Sequence, residues 1–187
     1  MIVFLDFEAS SLSDDSYPIE VAWAAEDGSS EQHLIRPAPA WNDWDASAQK
    51  VHGISRERLL AEGEGHDAVA RRTLDALAPH EVYVTAPSWD GKWMSVLLRS
   101  AGLPRHALRL KDADEAHLEA AKAAIGSALP DGEVTGTALR LIAQARRQTT
   151  PQPPAHRALA DAEAELSLWR EVGRLASQFA EDLRTDD

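Results

Sequence analysis

The first eight residues, Met1-Ile-Val-Phe-Leu-Asp-Phe-Glu8, constrain this chain more than any other stretch. The run is too short for an ordinary helix and rich in strand-forming types, so it reads as a buried strand. Strand side chains alternate between faces, which puts Val3, Leu5 and Phe7 on one side and Phe4, Asp6 and Glu8 on the other. Two carboxylates thus share one face of a core strand, with Cα atoms about 7 Å apart. Buried together they repel each other and lose hydration, and a hard cation between them relieves both penalties. The plain alternative is a strand that ends in solvent, with both acids on its rim.

At 187 residues the chain reads as one domain, 1–187, large enough for a hydrophobic core without staples. It has no cysteine, which removes disulfides and thiolate metal sites and fits a reducing compartment. The N-terminus enters the strand without a basic leader, and no apolar stretch approaches the roughly 18 residues of a membrane span. A soluble cytoplasmic protein is expected. The net charge of −12 argues against a protein that coats nucleic acid nonspecifically. The charge is uneven, however: residues 92–111 hold Lys92, Arg99, Arg105, Arg109 and Lys111, and residues 134–160 hold Arg140, Arg146, Arg147 and Arg157. A local basic channel on an acidic protein is one reading, and solvated helix faces the other.

Ile19–Ala24 reads as a second strand, interrupted by Glu20, and Gln32–Ile35 as a third, across a hairpin turn at Asp27-Gly-Ser-Ser30. Residues 41–78 show broken helical periodicity, with Ser55 as an N-cap and a helix over 66–78. Glu81–Thr85 returns to strand, and Ser88 is placed to cap a helix carrying Trp89, Asp90 and Trp93, with Asp90 in its first turn. A fifth strand is expected at 107–110, then helices over 113–125 and 134–147. The stretch Thr149-Thr-Pro-Gln-Pro-Pro-Ala155 is held extended by its prolines, and a last helix starts near Arg157.

His156 ends that proline stretch, and Asp161 follows five residues later. On one continuous helix their side chains would diverge by about 140°. They can serve one site only with His156 on the loop and Asp161 in the helix's first turns, as the prolines require.

The set is ordered: an acid pair on the first strand, an acid opening the helix after the fourth, then a loop histidine and a helical aspartate. Phe4-Leu-Asp-Phe-Glu-Ala-Ser10, Trp89-Asp-Gly-Lys92 and His156-Arg-Ala-Leu-Ala-Asp-Ala162, with Pro18-Ile-Glu-Val-Ala22 and His52-Gly-Ile54, resemble the DEDDh family of 3′→5′ exonucleases, which includes proofreading exonucleases, ribonuclease T and oligoribonuclease. The resemblance covers nearly the whole chain. Two departures stand out: Thr85-Ala-Pro-Ser88 replaces a His-Asn-Ala type sequence, and Ser10-Ser11 replaces the usual threonines.

The resemblance implies a ribonuclease H-like α/β fold, a mixed five-stranded sheet of three antiparallel and two parallel strands flanked by helices. It implies that Asp6, Glu8, Asp90 and Asp161 bind two Mg²⁺ or Mn²⁺ ions, a choice that four carboxylates without thiolates also favour. His156 would take the proton of the attacking water, as suits a side chain whose ordinary pKa is about 6.5. By the same resemblance Ser10 and Leu12 would hold the terminal nucleotide of a single-stranded DNA or RNA 3′ end or a short oligonucleotide. Trp89 is a candidate for stacking on a base or, alternatively, a packing residue, and Trp93 and Trp169 are read as packing. Several relatives dimerise, which extends the resemblance to a homodimer. Two other functions stay open: a catalytically silent binding module on the same fold, and a different metal-dependent phosphodiesterase.

Overall fold

The computed structural model describes residues 1–149 and 156–185. Three strands come first: β1 (Ile2–Ala9), β2 (Pro18–Ala25) and β3 (Ser30–Arg36), antiparallel in sequence, with Glu8 opposite Glu20 and Ala24 opposite Ser30. Short helices α1 (Ala46–His52) and α2 (Arg56–Glu62) lead to a two-residue strand, β4 (Glu64–Gly65). Then come α3 (His66–Leu77), β5 (Glu81–Val84), α4 (Pro87–Ser100), β6 (Leu110–Asp112), α5 (Ala113–Ile125), α6 (Asp131–Thr149) and α7 (Ala158–Thr185). The sheet order is β4-β3-β2-β1-β5-β6, with β5 parallel to β1 and β6 parallel to β5.

Alternation along β1 sorts the layers. Val3, Leu5 and Phe7 enter the core beneath α3 and α4 together with Val69, Leu77, Met94 and Leu97. Phe4 faces the other way, against Tyr83, Ala116, Ala162 and Leu166 under α5 and α7. Asp6 and Glu8 continue the Phe4 face toward the end of the strand, so α7 rather than α4 lies over them. Strand β2 is buried at every residue, Glu20 included. That makes it the central covered strand, and its one carboxylate must find partners inside.

Four local expectations are corrected. The sheet has six strands rather than five, because Glu64 and Gly65 pair in parallel with Ile35 and Arg36. Gly63 permits this approach: a Cβ there would lie 2.4 Å from the Leu59 carbonyl oxygen and 2.7 Å from the Arg36 nitrogen. The fifth expected strand, 107–110, is displaced to Leu110–Asp112, where pairing with Val82, Tyr83 and Val84 outweighs local apolarity. Helix α4 starts one residue before Ser88: Pro87 occupies its first turn, where a missing N–H costs nothing, and Ala86 is the cap without a side-chain bond. Helix α6 starts at Asp131 rather than 134, with Asp131 and Glu133 favourably placed in its first turn, and ends at Thr149. The rest of the expected extended stretch, 150–155, lies outside the described residues.

Candidate active site

Carboxylate oxygens of Asp6, Glu8 and Asp161 lie within 4.8 Å of one another. Strand alternation brings the first two together, and the start of α7 delivers the third across the same face. Asp161 is fixed by its own helix: its N–H donates to the Arg157 carbonyl at 3.0 Å, and its carboxylate accepts the Arg157 N–H at 3.2 Å. Asp90 is not one of the three. It is buried in the first turn of α4, where it accepts the Ala86 N–H at 3.1 Å.

The crowding appears in the proton affinities. Burial, followed by the charges of Asp90, Glu8 and Asp161, pushes Asp6 well above the ordinary carboxylate range. Burial, then Asp161 and Glu20, raises Glu8 to about 7, against the opposing charge of Arg157. Burial raises Asp90 to about 7, partly offset by the Ala86 N–H. Asp90 is also the first-ranking charge acting on Asp6, which ties it electrostatically to the group. Carboxylates that hold protons this tightly are short of positive charge, which a bound divalent cation would supply.

His156 is exposed just before α7, with φ +46°, the left-handed region that histidine visits more readily than most side chains. It is on the loop and Asp161 in the first turn, the arrangement that their spacing requires.

The residues considered for substrate divide. Leu12 is 70% exposed and lines a cavity of about 180 Å³ together with Glu8, Ala48, Val51, His52 and Trp93. Ser10 is turned inward instead: its hydroxyl donates to Asp43 at 3.0 Å and accepts the Tyr17 N–H at 3.1 Å, with no exposed surface. Asp43 also takes the hydroxyls of Ser11 and Ser13, so the three serines form a structural latch on the β1–β2 loop. Trp89 stacks on Trp93 with ring centroids 5.6 Å apart and carries the Lys92 ammonium 5.0 Å from its ring centre. Trp93 packs into the core, as read from the sequence, and also forms part of the cavity wall.

A buried clamp that neither motif spacing nor resemblance names lies beside the carboxylates. Glu20 accepts from Arg157 Nη2 at 2.7 Å and Nε at 3.1 Å, from the Ala158 N–H at 3.1 Å and from Gln32 Nε2 at 2.9 Å. It therefore anchors the segment that carries His156 and Asp161 to the central strand. The signal was present in the sequence: one acid inside an apolar strand requires a partner. His52 lines the cavity beside Leu12. Its Nδ1 accepts the Ile54 N–H at 3.1 Å, and its buried Nε2 has no partner among the described residues.

Neither a protein-family model nor a curated protein matches this chain. Solved structures do match. It is similar to E. coli exonuclease I in complex with a dA16 oligonucleotide, with TM-score 0.66 and 16% identity over 97% of this chain and 42% of that one. A structure of exonuclease I concerned with how processivity is achieved aligns with TM-score 0.68 and 18% identity, over 98% and 43% of the two chains. The E. coli enzyme with a dT13 oligonucleotide gives TM-score 0.67 at 17% identity, over 97% and 42%. The chain thus spans less than half the length of these neighbours. The fold is the α/β ribonuclease H-like arrangement of these exonucleases, a mixed sheet flanked by helices. Among the described residues no helix is long and apolar enough to cross a membrane.

Proposed function

We propose that this chain is a divalent-metal-dependent 3′→5′ exonuclease of the DEDDh type, releasing nucleoside 5′-monophosphates from single-stranded or short nucleic-acid ends. One observation carries the reading: Asp6, Glu8 and Asp161 converge within 4.8 Å beside buried Asp90, on a fold shared with exonuclease I. The proton-hungry, all-oxygen donor set fits Mg²⁺ or Mn²⁺, held by Asp6, Glu8, Asp90 and Asp161. Two such ions, when bound, supply Lewis acidity to the attacking water and to the leaving oxygen.

The chain's own groups do the rest. Leu12 and the cavity beside it receive the terminal nucleotide, so that its phosphodiester lies over the carboxylates. His156 takes a proton from the water as its oxygen bonds to phosphorus. The bond from phosphorus to the 3′ oxygen breaks, that oxygen gains a proton from solvent, and the phosphate leaves on the released nucleotide. The clamp between Glu20 and Arg157 keeps the start of α7 in register throughout.

The test is digestion of 5′-labelled single-stranded RNA and DNA with Mg²⁺ or Mn²⁺. A ladder shortening from the 3′ end, abolished by EDTA and by Asp6→Ala, is expected. Intact substrate with both ions would make a binding module the better reading, and internal cuts a different phosphodiesterase.

A further inference from the structure

We propose that the cleft between the first turns of α4 and the segment leading into β6 is a second binding surface, taking the sugar-phosphate backbone of a single strand upstream of the scissile bond. It rests on the proposed nuclease function for the direction of the strand, but not for the binding itself. The cleft encloses about 470 Å³. Its wall is Pro87, Gly91 and Met94, which lie at i, i+4 and i+7 on one face of α4, and Arg105, His106 and Arg109 stand opposite.

Charge is the first argument. The protein has a net charge of −12, yet no acid lines this cleft. Arg58, Arg72, Arg157 and Arg174 are each paired with a glutamate, whereas among the described residues no acid pairs with Arg105, His106 or Arg109. All three are exposed, over a floor that includes buried Leu108. Cations over an apolar floor suit a strand that presents phosphates outward and sugars or bases inward.

Position is the second. Gly91 follows Asp90 directly, and a Cβ at Gly91 would meet nothing within 4 Å, so the cleft reaches the helix backbone on the turn that carries the candidate metal ligand. The cavity at Leu12 also borders α4. Trp93 lines that cavity and Met94 lines the cleft, two adjacent helix residues about 100° apart around the axis. Glu8 borders one, and Gly91, next to Asp90, borders the other. A strand whose 3′ nucleotide fills the first can continue across the carboxylates into the second, beside edge strand β6.

The experiment is fluorescence anisotropy with a labelled single-stranded decamer and a labelled dinucleotide, in EDTA or Ca²⁺, across a salt series, for wild type and the Arg105→Gln/Arg109→Gln variant. Two lost phosphate contacts should lower the salt slope for the decamer by about 1.4. The decamer's advantage over the dinucleotide should shrink roughly tenfold, as expected for two exposed charge contacts. Gly91→Glu, which puts an acid into open space on the opposite wall, should have the same sense of effect. Wild-type slope and length dependence in both variants would overturn the proposal, and so would tighter protection of the cleft by polyglutamate than by the decamer, which would point to an acidic peptide. Failure of the nuclease reading is a separate result, seen as undigested decamer with Mg²⁺ or Mn²⁺, and needs no binding measurement.

Discussion

Removing the Arg157 side chain should loosen both the fold and the candidate metal site, for reasons that can be followed bond by bond. Arg157→Ala deletes two charge-assisted hydrogen bonds, at 2.7 and 3.1 Å, to a Glu20 carboxylate with no exposed surface. Breaking a wholly buried ion pair costs roughly 3–5 kcal/mol. Here the arginine side chain is 35% exposed, so water can enter the gap, and Glu20 keeps the Gln32 amide and the Ala158 N–H. The expected loss is therefore about 2–3 kcal/mol, or a Tm lowered by roughly 5–10 °C for a chain of this size. The second effect is local. The Arg157 backbone holds Asp161 through bonds of 3.0 and 3.2 Å, so freeing the side chain relaxes the residue that orients a candidate metal ligand. Loss of such supporting bonds typically weakens metal binding by about 10–100-fold. Urea denaturation of the metal-free protein and Mn²⁺ titration of the folded protein read the two effects separately. Arg157→Lys, which keeps the charge without the two-pronged fork, should fall between wild type and the alanine variant. An alanine variant within about 0.5 kcal/mol of wild type, with unchanged Mn²⁺ affinity, would refute the reasoning.

Other outcomes follow from the same geometry. Glu8 and Asp90 bind protons more tightly in the folded chain, up to about 7, than in the unfolded one, so their contribution is full below the ordinary carboxylate range and is lost as pH rises through about 7. The Tm of EDTA-treated protein should therefore fall between about pH 5 and 8, less so in Asp90→Asn, and Mg²⁺ should raise Tm more at pH 8 than at pH 6; equal Mg²⁺ shifts at both would contradict the crowding. Leu12→Ala removes an exposed side chain, so stability should move by less than about 0.5 kcal/mol while KM for a short oligonucleotide rises several-fold; an unchanged KM removes Leu12 from the nucleotide site. Ser10→Ala should behave in the opposite way, costing about 1–2 kcal/mol in denaturation because Asp43 and the Tyr17 N–H each lose a partner. A raised KM at full stability would restore the substrate role that the resemblance gives Ser10.

Much of the candidate site is legible in sequence because its geometry is local. The pairing of Asp6 with Glu8 needs only the two-residue period of a strand, and the His156 to Asp161 spacing needs only the length of a helical turn and a stretch that cannot be helical. Asp90 is readable as a first-turn acid even though the helix starts at Pro87 rather than after Ser88. What escapes is set by contacts distant in sequence. Glu20 and Arg157 are 137 positions apart, and nothing near either residue names the other. The inward turn of Ser10 depends on Asp43, 33 residues away. Strand β6 includes Lys111 and Asp112, which local propensity disfavours, because β5 offers a pairing edge there. Trp89 and Trp93 differ in burial and in cavity contact through the orientation of α4, which periodicity alone does not resolve.

Exonuclease action is read out by the first product released from an oligonucleotide labelled in its 3′-terminal nucleotide, with Mg²⁺ or Mn²⁺ present. A labelled nucleoside 5′-monophosphate is expected as the first and only labelled product, lost when Asp161 is changed to Asn and strongly slowed when His156 is changed to Ala. Labelled fragments longer than one nucleotide, or the same product from the Asp161→Asn protein, would contradict it.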